Sequence, residues 1–238
     1  MTRTATPPSS GWLERRAWLE EYFDRTAADA WAALTSDAEV SGVRARVRAG
    51  RERMRSTLAS WLPADLHGRR ILDAGCGTGQ LTGDLAARGA TVVAVDLSPT
   101  LVGLAAERLD PALRSQVTFH AGDMLDAALG EFDHVIAMDS LIHYRADEAI
   151  VAISRLAART RHSLVLTHVP RTPLLAAMIG MGKLFPRRDR SPQVEPVSPT
   201  RFDAGLAKAL PFWRVARRER VTGGFYVSEA VEVARCAG

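Results

Sequence analysis

The sequence is poor in cysteine, in lysine and in long apolar runs, and each shortage excludes something. Its 238 residues hold 2 cysteines, Cys76 and Cys236. They lie far apart, one of them inside a glycine-rich turn, which argues against a disulfide framework and for a reducing cytosol. No apolar run reaches the roughly 20 residues that span a bilayer, and the Thr/Pro/Ser-rich stretch up to Ser10 lacks the apolar centre of a signal peptide. Lysine occurs only at Lys183 and Lys208, so the basic side is almost all arginine. The formal charge of +4 is too mild to choose between an acidic small molecule, an anionic membrane surface and RNA. No Cys/His group has metal-ligand spacing, so no protein-bound metal is expected.

What is there is an alternation of strand and helix patterns after an aromatic, arginine-rich start. Trp12, Leu13, Trp18, Leu19, Tyr22, Phe23 and Trp31 recur at helical spacing and read as one or two amphipathic helices, with their aromatic stripe read as core. Val40 to Trp61 reads as a longer helix stopped by Pro63. Its arginines, spread around the helix, read as a solvated face rather than a phosphate-reading stripe. Strands follow near Arg70–Ala74, Thr91–Val95, Gln116–Ala121, Phe132–Met138 and Ser163–His168, with helices over Gln80–Arg88, Pro99–Leu109 and Ala146–Ala158. Such alternation predicts a parallel, doubly wound α/β sheet. Pro170 to Pro199 is proline-rich and reads as an insertion. A helix near Pro199–Leu210 and two strand-like runs, separated by Gly223-Gly224, end the chain with a hairpin. The expected division is an N-terminal helical lid over 1–62 and an α/β domain over 63–238 that carries the 170–199 insertion.

The most informative run is Ile71-Leu72-Asp73-Ala74-Gly75-Cys76-Gly77-Thr78-Gly79. It reads as a buried strand ending in a carboxylate and a turn in which Gly75, Gly77 and Gly79 permit positive φ and close ligand approach. A dinucleotide fingerprint wants a third glycine at position 80, where this chain has Gln80. Asp73 would repel a pyrophosphate and favour a cationic or zwitterionic ligand. S-adenosylmethionine, with its sulfonium and amino-acid tail, meets that description.

The other strand ends agree. Asp96, followed by Leu97, lies 21 positions past Gly75, the separation at which a carboxylate reaches both ribose hydroxyls. Asp123 and Met124 offer an acceptor for the adenine amino group and a thioether to lie on the ring. Asp139 and Ser140 follow the fourth strand. Taken alone, Asp96 or Asp123 reads equally as a helix cap; four suitable strand ends in order favour the ligand. Beside the methyl position stand His143 and Tyr144, with no N-P-P-Y-like run. His143 is a candidate base, donor or metal ligand, the bland reading being a cap for the next helix. His168 is a weaker candidate at the same rim, and His67, His120, His134 and His162 read as structural.

The pattern resembles the class I S-adenosylmethionine-dependent methyltransferases. Within them it is similar to the magnesium-protoporphyrin IX O-methyltransferases of bacteriochlorophyll synthesis. The resemblance lies in Tyr22-Phe23 followed by Trp31, the Asp73-to-Gly79 turn, the run Asp139-Ser-Leu-Ile-His143-Tyr144, and the basic, proline-rich insertion. It implies a Rossmann-like, seven-stranded, mostly parallel sheet with an antiparallel C-terminal hairpin, an N-terminal lid and an inserted lobe. It also implies catalytic roles for Tyr22 and His143, and methyl transfer to a propionate of magnesium protoporphyrin IX. A magnesium chelatase large subunit as substrate donor is implied as well.

Pro173 to Phe185 is apolar and methionine-rich, and Arg187, Arg188 and Arg190 follow it. That composition suits a wall for a flat macrocycle, shallow insertion into an anionic membrane surface, or an ordinary lobe helix. The alternatives to the porphyrin enzyme are another small-molecule methyltransferase, acting on a quinone or polyketide, and an RNA-associated module built on the arginine-rich helix. Nucleic acid is not the expected partner, and the expected location is the cytoplasm, with peripheral membrane association.

Overall fold

The computed structural model describes residues 10–26, 35, 42–172, 194–223 and 226–236. Trp31 and the Pro173–Arg190 segment lie outside the described residues. The described elements are α1 (Ser10–Glu21), a π-helical turn (Tyr22–Thr26), α2 (Gly42–Ser60), β1 (Arg70–Ala74), α3 (Gln80–Ala87) and β2 (Thr91–Asp96). They continue with α4 (Pro99–Arg108), β3 (Val117–Ala121), β4 (Phe132–Ala137), a 3-10 turn (Leu141–His143), α5 (Ala146–Ala157) and β5 (Thr160–His168). The chain closes with α6 (Pro199–Ala209), β6 (Trp213–Gly223) and β7 (Tyr226–Arg235).

The sheet has 7 strands in the order β3-β2-β1-β4-β5-β7-β6. β1 pairs in parallel with β2 and β4, and β4 with β5, while β7 runs antiparallel to both β5 and β6. The sheet is therefore the one the resemblance implies. Parallel strands need covering on both faces, and period-2 alternation divides the apolar residues between two layers. Leu72, Val93, Val135 and Leu164 face a core closed by α5 and α6. Ile71, Val92, Ile136 and Val165 face a second core closed by α2 and α3, through Met54, Leu58, Leu81 and Leu85. β6 is an edge strand whose Arg214, Arg217, Arg218 and Arg220 are exposed; such charge discourages pairing with another edge.

Strand order reverses between β1 and β4, because β1 continues to β2 on one side while β4 lies on the other. Open α/β sheets bind ligands at the carboxyl ends of strands at such a reversal. The glycine turn leaves β1 there, and Asp139 and Ser140 leave β4 beside it.

Candidate active site

The turn after β1 is built by backbone conformation. Gly75, Gly77 and Gly79 have φ of 90°, 54° and 81°, values that L side chains rarely adopt. The Gly75 and Cys76 amides donate to Val95 O at 2.7 and 3.0 Å, which ties the turn to the end of β2. Glycine at 75 has a second cause: a Cβ there would stand 2.3 Å from Ser140 Cβ. Ser140 comes that close because its Oγ donates to Ala74 O at 2.7 Å.

Two carboxylates flank the turn. Asp73 is fully buried and accepts from Thr82 Oγ1 at 2.6 Å. Burial raises its pKa to about 7, with Thr82 opposing and the Asp96 charge adding to the rise. Asp96 accepts from the Gly77 amide (2.9 Å) and the Ser98 amide (3.0 Å), and burial raises its pKa too. Asp96 does not cap α4. That place belongs to Ser98, whose Oγ accepts from the Leu101 amide at 3.2 Å.

These groups line a cleft enclosing about 930 Å³, part of it open to solvent. The cleft brings together Asp73, Gly75, Cys76, Gly77, Asp96, Leu97, Met124, Asp139, Ser140 and His143. Gly79 shapes the turn at the start of α3. Asp123 does not line the cleft: its Oδ2 receives Arg16 from α1 at 3.0 Å and its Oδ1 the Leu125 amide at 2.8 Å. Tyr22 does not line it either. The ring that does is its neighbour Phe23, 5.7 Å from the His143 ring. His143 is buried and ends the 3-10 turn, and α5 takes Arg145 as its N-cap, so the cap reading of His143 does not hold.

Asp139 is the one non-glycine residue with positive φ (52°) among the described residues. Its buried carboxylate receives Arg51 NH1 at 2.5 Å, both oxygens receive the Tyr226 hydroxyl at 3.1–3.2 Å, and Thr167 and Ser228 hydroxyls add contacts at 3.2 and 3.3 Å. His168 sits apart from the cleft, buried, stacked on Phe202 and 3.2 Å from Glu229 Oε1. His134 is buried and bonded to Ser163 Oγ, whereas His67, His120 and His162 are exposed.

The reading of the α2 arginines as a solvated face needs correction. Arg51 and Arg55 turn inward and line the cleft, Arg51 paired with Asp139 and Arg55 with Asp84 and Glu52. Arg51 and Arg55 lie four residues apart on one flank of the helix, with half-buried Arg48, while exposed Arg46 and Arg53 fall on another; the acids they meet show which flank turns inward. Thr35 was missed as well: its hydroxyl receives Thr78 Oγ1 at 2.8 Å and its carbonyl Gln80 Nε2 at 3.0 Å, which closes the far side of the glycine turn.

The residues suit S-adenosylmethionine. Left-handed glycines present a close backbone, buried acids supply negative charge for a sulfonium and an amino group, and Leu97, Leu101 and Met124 give an apolar wall for a base.

Comparison with known proteins places this arrangement. A family model described as "Magnesium-protoporphyrin IX methyltransferase C-terminus" matches residues 137–235, and one described as "Methyltransferase domain" matches 71–162. The chain is 49% identical over 224 residues to the magnesium-protoporphyrin O-methyltransferase of Rhodobacter capsulatus, covering 94% of this chain and 98% of that one. It is 32% identical to the Synechocystis protein of the same name, covering 94% and 97%. The crystal structure of the Synechocystis magnesium protoporphyrin IX methyltransferase with bound SAH superposes with a TM-score of 0.82 at 31% identity, covering 92% of this chain and 99% of that one.

Proposed function

The chain belongs to the magnesium-protoporphyrin IX O-methyltransferase family and transfers the methyl group of S-adenosylmethionine to magnesium protoporphyrin IX, and we propose that it works by aligning an ionised propionate, with no proton removed. A carboxylic acid of this kind has a pKa of about 4–5 and is charged at neutral pH. The residues of the site therefore have to position, desolvate and hold.

When bound, S-adenosylmethionine supplies a methyl carbon made electrophilic by its sulfonium. In this reading the turn from Gly75 to Gly79 holds the methionine tail, with Cys76 packed beneath it. Asp96 receives the ribose hydroxyls on lone pairs left free by its two amide partners, and Leu97 and Met124 face the adenine. Asp73 balances the positive end. Asp123 acts at one remove by anchoring α1 through Arg16. Asp139 and Ser140 fix the backbone from which the Leu141–His143 turn springs.

His143 then orients the acceptor carboxylate at the end of the cleft. Tyr22 acts through Phe23 and closes the site from the N-terminal side, with residues 1–62 as the lid. In-line alignment in a site that excludes water supplies the rate. The observation that carries this reading is that the glycine turn, Asp96 and the Phe23–His143 pair border one cleft.

Incubation with labelled S-adenosylmethionine should label magnesium protoporphyrin IX strongly and metal-free protoporphyrin weakly or not at all. His143→Ala should lower kcat by about a hundredfold, the scale of a misplaced reacting group; near-normal turnover would remove the assignment. Wild-type behaviour of both Tyr22→Phe and Tyr22→Ala would remove the lid role.

The same reading has a magnesium chelatase large subunit delivering the acceptor, in the cytoplasm at an anionic membrane surface. The membrane part is supported by the apolar, then basic, composition of Pro173 to Arg190, and the chelatase partner by the family resemblance alone. Among the described residues no helix is long and apolar enough to cross a membrane, so the proposed attachment is peripheral. Failure of the wild type to float with anionic liposomes would remove the membrane part, and failure to co-purify with the chelatase subunit would remove the partner.

A further inference from the structure

α1 does not bury all of its aromatic side chains. Trp12 is 3% exposed and stacks on Tyr144 with centroids 3.9 Å apart, and Leu19 is buried at the cleft wall. Those two fit the expectation that the stripe is core. Trp18 does not: it is 45% exposed. A large exposed apolar ring in a folded chain is informative where it joins a functional surface.

Trp18 joins one. Its ring lies 5.5 Å from that of Tyr22, with planes 22° apart. Tyr22 meets Phe23 edge-on at 5.4 Å and 88°, and Phe23 lies 5.7 Å from His143. The rings thus run without a break from solvent to the end of the cleft. The backbone that carries them is fixed. Tyr22–Thr26 forms a π-helical turn, a wide turn found often at functional sites. Asp24 inside it receives Ser98 Oγ at 3.0 Å and the Thr100 amide at 3.1 Å, which pins the turn to the start of α4.

We propose that the exposed ring of Trp18 is the surface on which the tetrapyrrole plane stacks and that it sets acceptor affinity, with Tyr22 and Phe23 filling the space between it and His143. The proposal rests on the reading that the acceptor carboxylate is presented at His143. A flat, apolar macrocycle must remove its faces from water, and ring stacking does so with a defined geometry. A macrocycle stacked on Trp18 at one edge points its other edge, with a carboxylate side chain, toward His143. The polar, ionised group then enters the cleft while the greasy ring stays on the aromatic wall. Trp18 touches the acceptor far from the reacting atoms, so its contribution falls on binding.

The test is a Soret-band titration with magnesium protoporphyrin, paired with steady-state kinetics, for wild type, Trp18→Ala and Trp18→Phe. Loss of one stacked indole should weaken porphyrin binding by about tenfold in Trp18→Ala and raise KM for the porphyrin to match. Trp18→Phe should recover most of that loss. S-adenosylmethionine affinity, read by calorimetry, should stay at the wild-type value, and the thermal midpoint should fall by no more than about 2–4 °C, the scale of one lost ring contact with Tyr22, which separates lost stacking from a loosened lid. Porphyrin affinity within twofold of wild type in Trp18→Ala would overturn the proposal, as would a loss confined to kcat. If the wild type itself neither binds nor methylates the porphyrin, the underlying reading falls, and that failure is visible before any variant is made.

Discussion

Arg51 of α2 reaches the end of β4 and places NH1 2.5 Å from Asp139 Oδ2, with the two side chains 18% and 3% exposed. Asp139 lies in a left-handed conformation (φ 52°) immediately before Ser140 and the turn that carries His143. Holding a non-glycine residue there costs of order 1–3 kcal/mol and needs surroundings that over-determine it. Arg51, Thr167, Tyr226 and Ser228 are those surroundings. Arg51→Ala, which strands a buried carboxylate, should destabilise the protein by about 3–5 kcal/mol. Tyr226→Phe leaves the other donors in place and should cost only about 1 kcal/mol. Urea unfolding of the two variants measures the difference, and equal losses would show that Asp139 depends on Arg51 no more than on Tyr226.

The state of Asp73 makes donor binding depend on pH. Its folded-state pKa is raised to about 7 from the ordinary value of 3.8. Between those values the folded protein holds a proton that the unfolded chain has lost. This residue's contribution to stability therefore falls as pH rises from about 4 to about 7, and is constant above. A cationic donor favours the ionised carboxylate. Affinity for S-adenosylmethionine should accordingly rise as pH rises through about 7, with release of a proton on binding. Calorimetry in buffers of different ionisation enthalpy reads that proton directly, and Asp73→Asn should abolish its release.

Gly75→Ala tests the turn. The new methyl would meet Ser140 Cβ at 2.3 Å, and the φ of 90° would be strained in any L residue. Left-handed strain alone costs roughly 1–2 kcal/mol, and the clash adds to it. Donor affinity should fall at least tenfold. In Gly75→Ala/Ser140→Gly, where the steric conflict is removed, part of that affinity should return. No recovery would show that relief of the clash is outweighed by backbone strain and by loss of the Ser140 Oγ–Ala74 O bond.

Asp24→Ala should separate stability from catalysis. Asp24 supplies the Thr100 amide at the first turn of α4 with an acceptor, and loss of a capping acceptor costs about 1 kcal/mol. Because the same carboxylate fixes the turn that carries Tyr22 and Phe23, kcat should drop by much more than that stability loss implies. A modest fall in thermal midpoint with unchanged turnover would free the turn from any role in closing the site.

Local sequence fixes the strands and helices here because each is announced by short-range chemistry. β1 is apolar over its length and ends at a glycine turn, and its predicted bounds, Arg70–Ala74, are those found. α4 begins at Pro99, its predicted start, although the cap is Ser98 and not Asp96. β6 ends at Gly223, the first residue of the predicted hairpin signal. Asp73, the turn and Asp96 are legible for the same reason, since their roles follow from position at the end of a strand.

The sequence by itself therefore determined the strands and helices, the glycine turn and the class of ligand, because periodicity and strand-end position are properties of neighbouring residues; the seven-stranded arrangement was what the family resemblance implied. Tertiary structure decided which of several chemically equal side chains face the cleft. Arg51 and Arg55 are met by acids where Arg53 bonds the Thr222 carbonyl, Asp123 is drawn off by Arg16, and Phe23 reaches His143 where Tyr22 does not. Those choices depend on partners as many as 107 residues apart, brought into contact only when the two cores close around the sheet.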